Sequence, residues 1–272
     1  MSVVSDVHKR QFSEDGYCIL TAALPQVLLQ LLRDECDTMM ANTDRQMDEA
    51  GVDVIGSSRR GLQYFPGNVS LEQPGVRGFL FSEFMADVCR ALVGPDAYLF
   101  WEQFAVKFGE AAPQGDRAAG FQSGDGPSSL GRLSWHQDSG YVAYDHDPYL
   151  TVWVALDDVT ADNGAVRLIP FRDVGIRTRV QHVPEPCNGD LVGYFGPLDG
   201  VPAIVPAGTV VCFSSTLFHS SDRNLSGTPR RAFIAQYSGV PIMSPDGSRL
   251  WNRAERLLDE GRYVPDHALA PA

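Results

Sequence analysis

The spacing of apolar residues changes near Pro95, and this change constrains the fold more than any other feature of the chain. Before it, Leu24–Met40 and Val76–Val93 carry apolar residues at helical spacing, and Gly94 and Pro95 end the second stretch. After it, Ala97–Phe108 alternates with the period of a strand. The pattern predicts helices first and strands afterwards, with the helices packed on one face of a β-structure.

Short strand-like runs then follow each other, separated by turns rich in Gly, Pro and Asn. They are predicted at Leu133–Asp138, Tyr149–Leu156, Ala165–Ile169, Asp190–Phe195, Thr209–Phe213 and Arg231–Ser238. Many short strands with turn signals between them are typical of a β-sandwich or jelly roll. Two stretches are predicted to be mobile loops: the polar region Asp44–Asn68, and Gly109–Gly131, whose position before the next strand suits a lid over the site.

Composition excludes several classes of protein. The chain has 272 residues and a formal charge of −12, which argues against binding to nucleic acid because such binding depends on Lys and Arg. No apolar run is long enough for a transmembrane helix, and the N-terminus lacks the apolar core of a signal peptide. The five cysteines form no Cys-x-x-Cys pair, which favours reduced thiols in a cytoplasmic protein.

The segment around Trp135 contains a His-x-Asp pair, His136 and Asp138. On a strand, residues two apart project from the same face, so both side chains could converge on one metal ion. The pair alone is weak evidence, because a histidine hydrogen-bonded to a neighbouring carboxylate explains it equally well.

A third ligand has to come from elsewhere in the chain, and His219 fits best. It follows an apolar strand, and the turn-rich run 222–229 leads from it into the next strand. We expect a hairpin here, with either Arg230 or Arg231 near the metal. The other histidines, His8, His146, His182 and His267, fit this pattern less well.

Two imidazoles and one carboxylate on a single face leave coordination positions open, which is diagnostic of non-haem iron(II) oxygenases. Zinc prefers a tetrahedral site, and the chain has no His-Glu-x-x-His helix of a zinc protease. No Gly-x-Ser-x-Gly motif of a serine hydrolase is present either.

These residues resemble the phytanoyl-CoA hydroxylase-like (PhyH) family of 2-oxoglutarate oxygenases. The resemblance rests on the Trp-His-x-Asp segment, the distal His219 and an arginine eleven positions after it. It extends to Phe12–Tyr17 and to the strands Val152–Asp158 and Asn163–Pro170, so it covers most of the chain.

The resemblance implies one domain with a double-stranded β-helix (jelly-roll, cupin-like) core at about 96–240. A helical part at about 1–95 precedes this core, and an extension at about 241–272 follows it. It also implies that Fe(II), 2-oxoglutarate and O2 are used to oxidise an unactivated C–H bond of a small molecule, with release of succinate and CO2.

By resemblance, His136, Asp138 and His219 hold the metal and Arg230 binds the distal carboxylate of 2-oxoglutarate. The other residues that it places at the cosubstrate are Ser221, Thr151 and Lys107. Gln103 is added to them because it lies on the same strand face as Lys107. The planar guanidinium of an arginine suits a carboxylate because it can bind both oxygens at once.

The chain departs from relatives at Pro170–Asp173, on the rim of the expected pocket, and this leaves the substrate open. A free natural-product intermediate, a carrier-bound one and an acyl-CoA all remain possible, and the oligomeric state is undetermined. The alternative function is a catalytically silent binding protein that keeps the jelly-roll scaffold.

Overall fold

The computed structural model describes residues 2–109, 131–185 and 190–265. Its helices are α1 (Asp6–Asp15), α2 (Gln26–Ala50), α3 (Pro74–Leu80), α4 (Glu83–Leu92) and α5 (Phe171–Val174). Among these described residues, no helix has the length and apolar character needed to cross a membrane.

The predicted helices are present, with two differences. The helix predicted at Leu24–Met40 is α2, which continues ten residues further to Ala50, because the buried residues Thr43 and Met47 prolong its core-facing side. The helix predicted at Val76–Val93 is divided at Phe81 into α3 and α4. The Ser82 side chain accepts a hydrogen bond from the backbone N–H of Met85 and so starts the new helix. Helix α1 was not predicted.

The strands of the structure comprise the seven predicted ones, close to their predicted positions, and other, mostly short ones that were not predicted. They are β1 (Tyr17–Leu20), β2 (Val54–Ile55), β3 (Ser58–Arg59), β4 (Gln63–Tyr64), β5 (Ala97–Lys107), β6 (Leu133–His136), β7 (Leu150–Ala155), β8 (Val166–Leu168), β9 (Val183–Pro184), β10 (Leu191–Val192), β11 (Val201–Pro202), β12 (Val210–Ser214), β13 (His219–Ser221), β14 (Arg230–Ser238), β15 (Glu255–Asp259) and β16 (Arg262–Tyr263).

In the described part of the chain these strands form a major sheet of ten strands, a minor sheet of four and a separate antiparallel pair, β9 with β10. The pairings in the two larger sheets are antiparallel. The major sheet runs β1-β12-β7-β14-β5-β4-β3-β2, with β15 and β16 attached beside β5, and the minor sheet runs β11-β8-β13-β6. This is the jelly-roll architecture that the sequence predicted.

The largest apolar cluster lies between the helices and one face of the major sheet. Leu32 and Cys36 of α2 and Phe79 of α3 are fully buried in it, together with Phe104 of β5 and Phe233 of β14. The predicted packing of the N-terminal helices on one sheet is therefore confirmed. The opposite face of the same strands is left to form the wall of a cavity.

The predicted hairpin between His219 and Arg230 is wrong. Strand β13 pairs with β6 and β8 in the minor sheet, whereas β14 pairs with β5 and β7 in the major sheet. Residues 222–229 thus cross from one sheet to the other. The two sheets face each other, so both ends of this crossing still border one cavity.

The region Asp44–Asn68, predicted as a mobile loop, is instead ordered by the end of α2 and by β2, β3 and β4. Arg60 forms ion pairs with Asp44, Asp48 and Asp53, which fasten this segment to the end of the helix. Its polar composition therefore reflects a charged cluster on the surface. The core of the other predicted loop, Gly109–Gly131, lies outside the described residues.

Candidate active site

His136, Asp138 and His219 meet at one point between the two sheets, as predicted. Their ligand atoms all lie within 4.8 Å of one another, and Asp138 Oδ1 is 3.9 Å from His136 Nε2 and 3.5 Å from His219 Nε2. His136 ends β6 and pairs directly with His219 on β13. Asp138 begins a 3-10 turn after β6, so the two motif residues converge through this turn rather than along one strand face.

Both histidines are oriented by the backbone. The Nδ1 atom of His136 lies 2.6 Å from the carbonyl oxygen of Ser134, and Nδ1 of His219 lies 3.1 Å from that of Leu217. A carbonyl oxygen can only accept, so Nδ1 carries the proton in each ring and the lone pair of Nε2 faces the site. This is the tautomer that a metal ligand requires.

The carboxylate of Asp138 is held in a similar way. Thr151 on β7 donates its hydroxyl proton to Oδ2 at 2.6 Å, which leaves Oδ1 pointing at the two imidazoles. Burial favours the neutral acid, but the neighbouring His219 and His136 and the hydroxyl of Thr151 favour the carboxylate and lower the pKa of Asp138 to about 2. Burial lowers the pKa of His136 to about 3, and His219 adds to this effect.

The group therefore offers two imidazole nitrogens and one carboxylate oxygen, all nearly buried. A shared ion would draw these atoms closer together than they are now. Three ligands on one side leave the remaining positions open to the cavity. The donor set fits iron(II), because two histidines and one carboxylate are typical ligands of non-haem iron.

Two buried cations line the same cavity. Lys107 on β5 and Arg230 on β14 are direct cross-strand partners, and each side chain is only 2% exposed. Among the described residues, no carboxylate lies at ion-pair distance from either. Arg231 points the other way and pairs with Asp157 and Asp37. Of the two candidate arginines, Arg230 is the one in the cavity.

Each cation is held in place by neutral oxygen atoms. The ammonium of Lys107 donates to the hydroxyl and the carbonyl of Ser221, at 2.6 and 3.2 Å, and to the carbonyl of Asp222 at 2.6 Å. Arg230 donates to the carbonyl of Gly164 at 2.8 Å and lies over the ring of Trp153. Its Nε–H donates to the carbonyl of Asn163 at 3.5 Å. The N–H groups of Nη1 are available to a ligand in the cavity, and so is the hydroxyl proton of Ser221.

Burial governs the charge of both groups. It lowers the pKa of Lys107 well below the ordinary value, and the neighbouring Arg230 lowers it further. Burial also lowers the pKa of Arg230 to about 10. Asp222 and Asp190 act on Lys107 and Asp157 acts on Arg230, but they offset the cost of burial only in part. An anion bound beside the two cations would reduce this cost further.

The other predicted site residues lie farther from this pair. Thr151 contacts the metal carboxylate rather than the cations. Gln103 lies four residues before Lys107 on β5, and its side-chain carbonyl accepts a hydrogen bond from the indole of Trp101 at 3.2 Å. All of the predicted site residues border one cavity of about 500 Å³.

Sequence reasoning missed the aromatic residues that line this cavity, which include Phe100, Trp101, Tyr141, Tyr149 and Trp251. Trp101 could have been found, since it shares one strand face with Gln103 and Lys107. His182 was also missed. Its Nε2 accepts a hydrogen bond from the backbone N–H of Gln137, between the two ligands of the motif, at 2.9 Å.

A jelly roll with a His-Asp-His cluster and buried cations in one cavity defines the class of non-haem iron oxygenases. The family model "Phytanoyl-CoA dioxygenase (PhyH)" matches residues 12–232, which is most of the chain. The chain therefore belongs to the PhyH family. It is an Fe(II)- and 2-oxoglutarate-dependent dioxygenase that uses O2.

Curated relatives have related activities in their names. A "2-aminoethylphosphonate dioxygenase" from Uncultured bacterium HF130_AEPn_1 is 23% identical over 248 residues, 88% of this chain and 83% of that protein. An "L-proline trans-4-hydroxylase" from Streptomyces griseoviridis is 30% identical over 129 residues, 39% of this chain and 45% of its own. The match thus spans less than half of the second relative.

Solved structures share the fold. The "non-heme alpha ketoglutarate dependent carbocyclase SnoK from nogalamycin biosynthesis" superposes with a TM-score of 0.63 at 17% identity, covering 92% of this chain and 90% of that one. EctD from S. alaskensis, solved with 2-oxoglutarate and 5-hydroxyectoine, gives 0.61 at 19% identity and covers 97% and 89%. Identities this low support the fold alone.

Proposed function

We propose that this dioxygenase hydroxylates an unactivated C–H bond of a small-molecule metabolite, in natural-product metabolism. The observation that carries the proposal is the placement of two buried cations and the His-Asp-His cluster on one cavity. The cations suit a dicarboxylate cosubstrate, and the space beside the ligands suits a small molecule. Relatives named for small substrates support the same conclusion.

His136, Asp138 and His219 would hold the iron, and Arg230 would bind the distal carboxylate of 2-oxoglutarate. Ser221 would add a hydrogen bond to that carboxylate, because Lys107 already occupies one lone pair of its hydroxyl and leaves the proton to donate. Lys107 would contribute mainly its charge, since three neutral oxygens already accept its protons.

Bound iron supplies the oxidising chemistry, in which 2-oxoglutarate is converted into succinate and CO2 while the substrate is oxidised. The protein supplies position and surroundings. Thr151 keeps Asp138 turned toward the metal, and the backbone carbonyls keep both histidines in the tautomer that binds it. The apolar cavity wall limits water around the reacting atoms.

The proposal is tested by incubating the iron-loaded protein with 2-oxoglutarate, O2 and a panel of metabolites. We expect one metabolite class to accelerate succinate release and to gain one oxygen atom by mass. An Asp138→Ala variant should lose this activity together with its iron. Succinate release that no metabolite class accelerates, with full iron occupancy, would contradict the proposed reaction.

The alternative of a catalytically silent binding protein predicts a different result. Such a protein would purify without stoichiometric iron and would not turn over 2-oxoglutarate under any condition. The oriented histidine tautomers and the turned carboxylate favour the enzyme, because a binding scaffold has no need of them.

A further inference from the structure

The wall of the cavity formed by β5 changes in chemical character along the strand. Trp101, Gln103, Ala105 and Lys107 are two residues apart, so they share one face and all border the cavity. At about 3.3 Å per residue, Trp101 lies about 20 Å from Lys107 along the strand. A five-carbon dicarboxylate held at Lys107 is much shorter than this, so the Trp101 end of the cavity must receive something else.

The metal centre lies between the two ends of β5, because Ser221, two residues after the ligand His219, contacts Lys107 at one end. Gln236 of β14 pairs with Trp101 on one side and with Thr151 on the other, and Thr151 holds the metal carboxylate Asp138. A molecule that fills this end therefore lies beside the metal ligands.

Aromatic side chains surround this end, and their packing holds them in place. The indole of Trp101 lies so close to Gly67 that a Cβ atom there would come within 2.5 Å of the ring. Phe100 and Tyr149 pack edge to face with centroids 4.8 Å apart. Trp251 is fixed from outside the cavity by Tyr144 at 5.5 Å. The walls are rigid, flat and apolar, which suits a flat apolar ligand.

One polar group at this end has a defined direction. The indole N–H of Trp101 can only donate, so it receives the carbonyl oxygen of the Gln103 side chain. The amide nitrogen of Gln103 is then the remaining polar atom of that side chain, and it is a donor. A donor of this kind favours a ligand with a carbonyl or ether oxygen and disfavours an ammonium group.

The described residues that surround the Trp101 end offer no counter-charge for an anionic substrate. Among the described residues that line it, Lys107 and Arg230 are the only lysine or arginine side chains. Both lie at the opposite end of the cavity, where Arg230 would bind the distal carboxylate of the cosubstrate and Lys107 would contribute its charge. An anionic substrate group beside Trp101 would be buried without a partner, which costs several kcal/mol.

We propose that the substrate is an uncharged molecule with a flat aromatic or similarly apolar ring system, bound against Trp101 with an oxygen acceptor at the amide of Gln103. This inference rests on the proposed function and names the substrate class of the same site. It assigns Gln103 to the substrate, whereas the sequence predicted it at the cosubstrate.

The test compares binding of matched probes to the anaerobic Fe(II)- and 2-oxoglutarate-loaded enzyme by calorimetry. The probes are 2-acetylnaphthalene, which is neutral, 2-naphthoate, which is anionic, and 2-(aminomethyl)naphthalene, which is cationic, together with 2-aminoethylphosphonate. We expect the neutral ketone to bind at least about tenfold more tightly than each charged probe. A charged probe that binds as tightly, or a ketone that does not bind, overturns the proposal.

Variants locate the binding site. Gln103→Glu keeps an acceptor for the indole but removes the amide donor, so ketone affinity should fall about tenfold, the value of one neutral hydrogen bond. Gly67→Val should displace the indole of Trp101 and weaken the ketone similarly. Phe195→Leu changes an exposed aromatic residue outside the cavity and should leave ketone affinity unchanged.

Binding of 2-oxoglutarate to the same variants distinguishes a failure of the proposed substrate class from a failure of the proposed function. If Gln103→Glu weakens 2-oxoglutarate binding and leaves ketone affinity unchanged, Gln103 belongs to the cosubstrate and the substrate proposal is wrong. If the wild-type metal-loaded protein fails to bind 2-oxoglutarate at all, the proposed function fails, and the order of probe affinities on the metal-free protein still decides the substrate class.

Discussion

Lys107 and Arg230 face each other across neighbouring strands, and both are buried although they carry the same charge. The chain builds this arrangement from the alternation of β5 and β14, which turns both side chains to the cavity and away from the helices. Such a pair is stable only with neutral acceptors around it or an anion between its members. The structure supplies the acceptors, and the cosubstrate would supply the anion.

The first prediction concerns Arg230 and its neighbour. Arg230→Ala should weaken 2-oxoglutarate binding by about 1.5–3 kcal/mol, roughly ten- to a hundredfold, because a charged hydrogen bond is lost. Anaerobic calorimetry on the metal-loaded protein measures this. Arg231→Ala is the matched control: it breaks ion pairs with Asp157 and Asp37 and should reduce stability while leaving 2-oxoglutarate affinity intact. The opposite pattern in the two variants would reverse the assignment.

The second prediction concerns pH. Burial lowers the pKa of Lys107 well below its ordinary value, Arg230 and Arg132 lower it further, and Asp222 and Asp190 oppose this only in part. Between the lowered and the ordinary value, the unfolded chain therefore binds more protons than the folded protein. The free energy of unfolding of the cosubstrate-free protein should then rise with pH in this interval. Below the lowered pKa, the full cost of burying the charged ammonium of Lys107 reduces stability.

The variant Lys107→Met tests this directly, because it retains the length of the side chain without its charge. Urea denaturation at several values over roughly pH 6.5 to 9 should show a flatter dependence for the variant than for the wild type. Parallel curves for the two proteins would mean that Lys107 keeps its proton throughout this range.

The third prediction concerns Thr151. Thr151→Val preserves shape but removes the hydroxyl that turns Asp138 toward the histidines. Metal affinity should fall by about ten- to a hundredfold, as is usual when a group that orients a metal ligand is lost. Thr151→Ser keeps the hydroxyl and should retain most of the affinity. Equal iron affinity in the valine and serine variants would show that the hydrogen bond does not orient the ligand.

The sequence predicted the site better than the path of the chain that builds it. Ligand identity follows from chemistry, since two histidines and one carboxylate suit iron. Strand alternation likewise predicts that only one of Arg230 and Arg231 can face the cavity. The pairing partners could not be predicted, because turn-rich residues such as 222–229 serve equally in a hairpin and in a crossing between sheets. Only tertiary packing distinguishes the two.

Helix α1 and the aromatic end of the cavity could not be predicted from local sequence patterns either. Helix α1 is mostly polar, so its apolar spacing gives little signal, and its start depends on the side chain of Ser5. The aromatic end of the cavity brings together Phe100 and Trp101 of β5 with Tyr149 and Trp251 from distant parts of the chain. No local pattern relates these residues, and only the fold places them together.

The most direct measurement is an anaerobic crystal structure of the protein with Fe(II) and 2-oxoglutarate. We predict one iron atom within about 2.2 Å of His136 Nε2, His219 Nε2 and Asp138 Oδ1, at the usual length of such bonds. The distal carboxylate of 2-oxoglutarate should contact Arg230 and the hydroxyl of Ser221. Iron bound elsewhere, or 2-oxoglutarate bound away from Arg230 and Lys107, would contradict the account.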